Sequence, residues 1–189
     1  KGSAIYIYRF SSDYARKIEE NLITGNYSTS TNNSSAIYLN ENDFDSFTKN
    51  TIRDNNTTYD LEVGFSSGKS LIATGNDWGS TDTNTILGKI YDFFDNSAKG
   101  DVDFGSPLSQ PDEGVPPLSP TGLAATVNTA INLSWNANAE SDISGYLIYY
   151  GTTSGASYNG TGASGGDSPI SVAANVNSYS LSGLTSGQD

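Results

Sequence analysis

The 189-residue chain contains no cysteine, no methionine and no histidine. No disulfide framework, zinc site or Cys/His nucleophile can be built from such a composition. Basic residues are few and one-sided. All nine lysines and arginines lie between Lys1 and Lys99. From Gly100 onward there are none, while Asp101, Asp103, Asp112, Glu113, Glu140, Asp142, Asp167 and Asp189 remain. The net charge of −12 opposes a phosphate backbone or an anionic membrane surface, so no nucleic-acid partner is expected. No apolar run approaches the roughly 18 residues of a membrane span. The break in charge marks two modules meeting near residue 105.

The residues that are abundant are Asn, Ser, Thr, Gly and Tyr. This balance resembles that of secreted microbial surface proteins and leads to the expectation of an extracellular or cell-surface location. Seven Asn-x-Ser/Thr sequons, at Asn26, Asn32, Asn33, Asn55, Asn56, Asn132 and Asn159, matter only where the source glycosylates.

Three segments of the first module superimpose. Ile5-Tyr6-Ile7 matches Ile37-Tyr38-Leu39 and Leu61-Glu62-Val63. Further along, Ile18-x-x-Asn21-x-Ile23 matches Phe47-x-x-Asn50-x-Ile52 and Ala73-x-x-Asn76-x-Trp78. The alternation has period two, so each piece reads as a short strand. A period of roughly 24–32 residues suggests a solenoid. Stacking would then place Asn21, Asn50 and Asn76 in a ladder of side-chain amides, and would bring Tyr6 over Tyr38 on the outer face.

These residues resemble the right-handed parallel β-helix of the pectate-lyase-like superfamily over about residues 4–108. The ending is its most specific part: Asn76-Asp77-Trp78-Gly79, then a short capping helix begun by Thr81 or Asp82. That helix would place Ile86, Leu87, Ile90 and Phe94 on one face. Val102-Asp103-Phe104 reads as a last strand along the side. No cap is legible ahead of Ile5, so further coils or another chain are expected to cover that end.

Five of the six prolines, Pro107, Pro111, Pro116, Pro117 and Pro120, fall in a semi-rigid stretch from Gly105 to Pro120, within which the linker is set at 109–120. Beyond it, Pro120-x-Gly122-Leu123, Ile131-Asn132-Leu133-Ser134-Trp135, Ile143 to Gly151 and Ser178-Tyr179-Ser180-Leu181 resemble strands A, B, C and E of a fibronectin type III domain over 121–189. The resemblance implies an Ig-like β-sandwich with Trp135 buried near Tyr146 or Ile148. The pattern stops before strands F and G. Strand C, with Tyr146, Ile148 and Tyr150, would keep an open interaction edge. Either the sequence is truncated, or another subunit supplies the missing strands.

The fold expectation is therefore all-β: a parallel β-helix with a capping helix over 1–108, then an incomplete sandwich. Candidate chemistry is thin. β-Helix enzymes acting on polysaccharide need clustered carboxylates, often with Ca²⁺ and a basic residue. The acids that qualify are Asp43 with Asp45, Asp60 with Glu62 on the outer face of one strand, and Asp54 near Arg53. Solvated acids on an acidic protein are the plainer reading, so no catalytic residue and no cofactor is assigned, beyond weak Ca²⁺ binding in Asp/Asn-rich turns. Tyr6 and Tyr38 are candidate contacts for a sugar or for another module. The expectation is a non-catalytic structural or adhesive protein, a surface or filament subunit that self-associates through β-edges or joins other surface modules. The alternatives are the C-terminal piece of a secreted carbohydrate-active enzyme and a non-catalytic polysaccharide-binding module.

Overall fold

The computed structural model describes residues 5–8, 16–28, 34–152 and 157–184. The sequons at Asn32 and Asn33 lie outside them, as does Asp189. The described chain is nearly all β, with one helical turn, α1 (Thr83–Leu87). It divides into two compact units, Lys1–Pro116 and Pro117–Asp189.

The first unit is a β-solenoid of about three turns, consistent with a parallel β-helix. Four strands stack in parallel: β1 (Ile5–Ile7), β4 (Ser35–Leu39), β7 (Tyr59–Val63) and β9 (Ile90–Tyr91). Beside them β2 (Lys17–Glu19) pairs with β5 (Ser46–Thr48), β3 (Leu22–Ile23) with β6 (Thr51–Ile52), and β8 (Ser70–Ile72) with β10 (Asp101–Asp103), all parallel. The register is that of the sequence overlay. Ile5 faces Ile37, Ile37 faces Leu61, and the column continues to Ile90. Ile18 faces Phe47 and Ile23 faces Ile52. In-register parallel pairing sets like residues above like, so apolar columns close into one core. Backbone groups at the corners cannot all join strands, and buried asparagines satisfy them there.

The helix is shorter than its apolar spacing predicts. Asp82 is the N-cap, its Oδ1 accepting from Thr85 N at 2.8 Å. Ile86 is buried, but the helix ends at Leu87. Lys89 N donates to Ile86 O, and the chain turns so that Ile90 enters β9 below Leu61. Phe94 is 76% exposed. The face Ile86, Leu87, Ile90 and Phe94 therefore does not exist as one helical stripe; pairing with β7 overrides the helical period. Val102 lies in β10, a last strand paired in parallel with β8, and is buried in the solenoid core.

The proline-rich stretch is also more ordered than a connector. Pro111 and Val115 are buried, and Asp112 lies 4.0 Å from Lys49. In the second unit Leu118 donates from N to Glu140 and accepts at O from Asn138 Nδ2. The boundary falls between Pro116 and Pro117.

In the second unit β11 (Thr121–Val127), β12 (Ile131–Asn136) and β15 (Ser178–Leu181) form an antiparallel sheet in that order. β13 (Gly145–Ile148) pairs with β14 (Ile170–Ala173), a strand the sequence reading leaves out. One apolar cluster joins both sheets, with Trp135 and Leu181 from one and Ile148 and Ile170 from the other. The Trp135 ring is buried, edge-on to Tyr146 with centroids 5.4 Å apart.

Candidate functional site

Two surfaces, one on each unit, stand out from the packed fold. The first is the outer side of the four-strand stack. Register aligns Tyr6, Tyr38, Glu62 and Tyr91 in one outward column. The Tyr6 and Tyr38 rings stack at 4.9 Å with 10° between their planes, the spacing of adjacent strands. Tyr59 joins the group, its ring 5.1 Å from that of Tyr91. Gly64 makes room for Tyr38: a Cβ there would overlap the Tyr38 hydroxyl and come 2.5 Å from Asn40 Oδ1. Glu62 is buried among these residues and accepts from Ser35 Oγ at 3.3 Å. Burial pushes the Tyr59 hydroxyl above its ordinary pKa, with smaller contributions from Asp95, Tyr91 and Glu62.

The other acids are engaged in the fold. Asp43 pairs with the Arg16 guanidinium, and Asp45 accepts from Arg16 N at 2.7 Å. Arg53 bridges Asp54 and the buried Asp77. Asp60 does not share an open outer face with Glu62. It is 4% exposed and accepts from Asn55 Nδ2 at 2.9 Å. Among the described residues no three His, Cys, Asp or Glu side chains converge, and no helix is long and apolar enough to cross a membrane.

The second surface comprises one side of β11 and, in the other sheet, the free edge of β13. Ala125 lies opposite Leu133, and Val127 opposite Ile131. Leu133 and Ile131 in turn lie opposite Tyr179 and Leu181. Directly opposed residues in antiparallel strands point to the same side. Ala125 and Val127 therefore share the face that carries Trp135 and Leu181, while Leu123 lies beside a register shift between Thr121 and Ala124. Yet Leu123 is 70% and Val127 74% exposed. Among the described residues no strand lies on the second edge of β13. The Trp135 indole N–H is buried without an acceptor.

Of the three residues expected along the β13 edge, Ile148 is buried and Tyr146 and Tyr150 are half-buried. All three side chains pack on the shared core. Tyr146 Oη accepts from Asn138 N, and Tyr150 Oη donates to Gly166 O. Only their backbone offers an edge, while Leu147 and Tyr149 face outward. Sequence reasoning missed the bare β11 face, although Leu123-x-Ala125-x-Val127 alternates openly.

Fold and surfaces together define a short β-solenoid followed by a second, separately packed β unit. No protein-family model matches the chain, and no curated protein or solved structure is detectably similar to it.

Proposed function

We propose that this chain is a non-catalytic structural or adhesive protein of the cell exterior, and that it assembles by accepting a β-strand from another subunit. The second unit is read as a fibronectin type III-like sandwich whose second sheet is completed in the assembly. α1 is read as a cap that covers part of the solenoid core through Ile86. The observation that carries the reading is the exposure of Val127 on the core face of β11, with Leu123 also exposed on that strand and β13 unpaired along its second edge among the described residues. Covering two such aliphatic side chains stabilises by about 1.5–3 kcal/mol each. A strand added to β13 would cover them and pair its backbone groups. The test substitutes one residue on each side of β11. Val127→Asp abolishes self-association measured by sedimentation, whereas Thr126→Asp, on the opposite side, leaves it intact. Equal effects of the two would contradict the reading.

A second reading, sugar binding without catalysis, is favoured by the tyrosine column. Exposed flat rings suit the apolar faces of a sugar, and Tyr6 is the open end of this column. It calls for retardation of the protein in polysaccharide-containing gels, lost in Tyr6→Ala with Tyr38→Ala.

A further inference from the structure

After β10 the chain doubles back over one corner of the solenoid. At that corner Glu20, Lys49 and Gly75 each stand just before a ladder asparagine, and each has a positive φ, of 56°, 58° and 69°. The three lie in one row along the stack. Lys49 N donates to Gly75 O at 2.8 Å, and Lys49 Nζ donates to Glu20 Oε1 at 3.5 Å. Just past the corner, Thr51 N donates to Asn21 O and Asp77 N to Asn50 O. Leu108 N repeats this bond to Asn76 O at 2.9 Å, so the stacking pattern continues as far as Leu108.

The next residues run back along the row of corners. Asp112 Oδ1 lies 4.0 Å from Lys49 Nζ. Gly114 lies against Glu20, one coil further back: a Cβ there would come 2.7 Å from Glu20 Cδ and 2.9 Å from its Cγ. Pro111 and Val115 are buried, and Val115 belongs to neither apolar cluster. The segment carries its own turn, with Val115 N donating to Asp112 O and Gly114 N to Asp112 Oδ1. Half-exposed ion pairs such as those of Lys49 contribute little. Burial of Val115 is the stronger attachment. Coils of a solenoid otherwise touch only their neighbours, so a segment reaching back over two corners fastens coils that would open separately.

We propose that residues 109–116 are a releasable strap. Closed, the strap ties the coil of Asn21 to those of Asn50 and Asn76. It opens as one piece and ahead of the solenoid core. Its turn bonds stay within the segment, and its prolines donate no backbone bond to the coils. The coils, in contrast, are held to one another by continuous parallel registers. Opening frees residues 109–116, up to about 26–29 Å of extended chain, ahead of Pro117, where the second unit begins. The strap thereby sets both the cohesion of the Asn21 coil and the length of tether that carries the second unit. The inference is independent of strand addition at β13.

The chain has no cysteine, so an added pair can lock the strap. Glu20→Cys with Gly114→Cys sets a sulfur near the place of Glu20 Cγ, 2.9 Å from the new Cβ, close to the span of a disulfide. Val115→Asp is the opposite variant and releases the strap. Amide exchange is followed at Val115 for the strap, at Asn21 and Thr51 for the corner, and at Leu61 and Gly64 for the solenoid. Asn21 N is bonded to Asn50 Oδ1, Thr51 N to Asn21 O, Leu61 N to Lys89 O and Gly64 N to Leu39 O. The proposal expects Val115 to exchange about ten-fold or more faster than Leu61, and to slow by about ten-fold or more when the cysteine pair is oxidised. Val115→Asp is expected to speed Asn21 and Thr51 by about ten-fold while Leu61 and Gly64 keep their rates. Equal acceleration at all four amides, or a solenoid that no longer folds, makes Val115 part of the core and overturns the proposal. So does unchanged exchange at Asn21 and Thr51, a cysteine pair that does not oxidise in the folded protein, or an oxidised pair that leaves Val115 at its former rate.

Discussion

Asn50 donates from Nδ2 to Asn76 Oδ1 over 2.9 Å, and neither residue has any solvent exposure. The same Asn50 side chain accepts two bonds from Asn21 and reaches Ile18 O and Thr48 O. Asn50→Leu leaves several of these buried groups without partners. Each orphaned group costs about 1–3 kcal/mol, so the loss exceeds that of an ordinary core substitution. Asn21→Ala, at the exposed end of the ladder, costs about 1 kcal/mol. Urea unfolding of the two variants measures the contrast.

The tight packing of the last coil gives a second expectation. A Cβ on Gly100 would run into the Phe65 ring and lie 2.5 Å from Lys69 O. Phe65 is buried and cannot swing away. Gly100→Ala therefore destabilises the first unit by about 1–3 kcal/mol. Gly88 has φ −64° and only ordinary contacts at 3.5 and 3.6 Å. Gly88→Ala is expected to be neutral or to stabilise by up to about 1 kcal/mol. Thermal unfolding of the pair checks the sign of each.

Asp60 makes stability depend on pH. Burial pushes its carboxyl above the ordinary value of 3.8, against the smaller lowering by the Asn55 bond and by Lys89. Just above pH 3.8 the folded protein keeps a proton that the unfolded chain has released. Stability then falls as pH rises from there through the raised folded pKa. Asp60→Asn still accepts from Asn55 and carries no charge. It removes this part of the decline and is no less stable than the parent at neutral pH. The buried Asp92, raised chiefly by burial too, retains its own decline of the same sign. Unfolding free energies at pH 4, 5.5 and 7 test the difference.

Much of the solenoid was legible because repetition makes register visible. Ile18, Phe47 and Ala73 each precede a ladder asparagine by three residues, and parallel stacking turns that spacing into a column. A second asparagine pair, in which Asn26 Nδ2 donates to Asn55 Oδ1 at 2.9 Å, is not legible, because Asn55 sits in an Asp54-Asn55-Asn56 run and itself donates to an aspartate, Asp60. The helix was overextended because Ile86, Ile90 and Phe94 keep a four-residue spacing, while the turn at Gly88 and Lys89 delivers Ile90 to a strand. β14 lay hidden behind a Gly/Ser-rich stretch, although Ile170 and Val172 alternate. Asp60 and Glu62 read in the sequence as a solvated pair. Nothing local distinguishes them from one, and their burial depends on Asn55 and on the tyrosine column.

The central claim, that the second unit is completed by a strand from another subunit, is tested most directly by fluorescence. The chain has two tryptophans, Trp78 in the solenoid core and Trp135 in the second unit. In a Trp78→Phe background, Trp135 emission reports the second unit alone. A unit stabilised by association unfolds at a midpoint that depends on protein concentration. The account predicts that the Trp135 midpoint rises as concentration is raised, and that adding Val127→Asp lowers it and removes the dependence. A single midpoint at every concentration, unchanged by Val127→Asp, would contradict it.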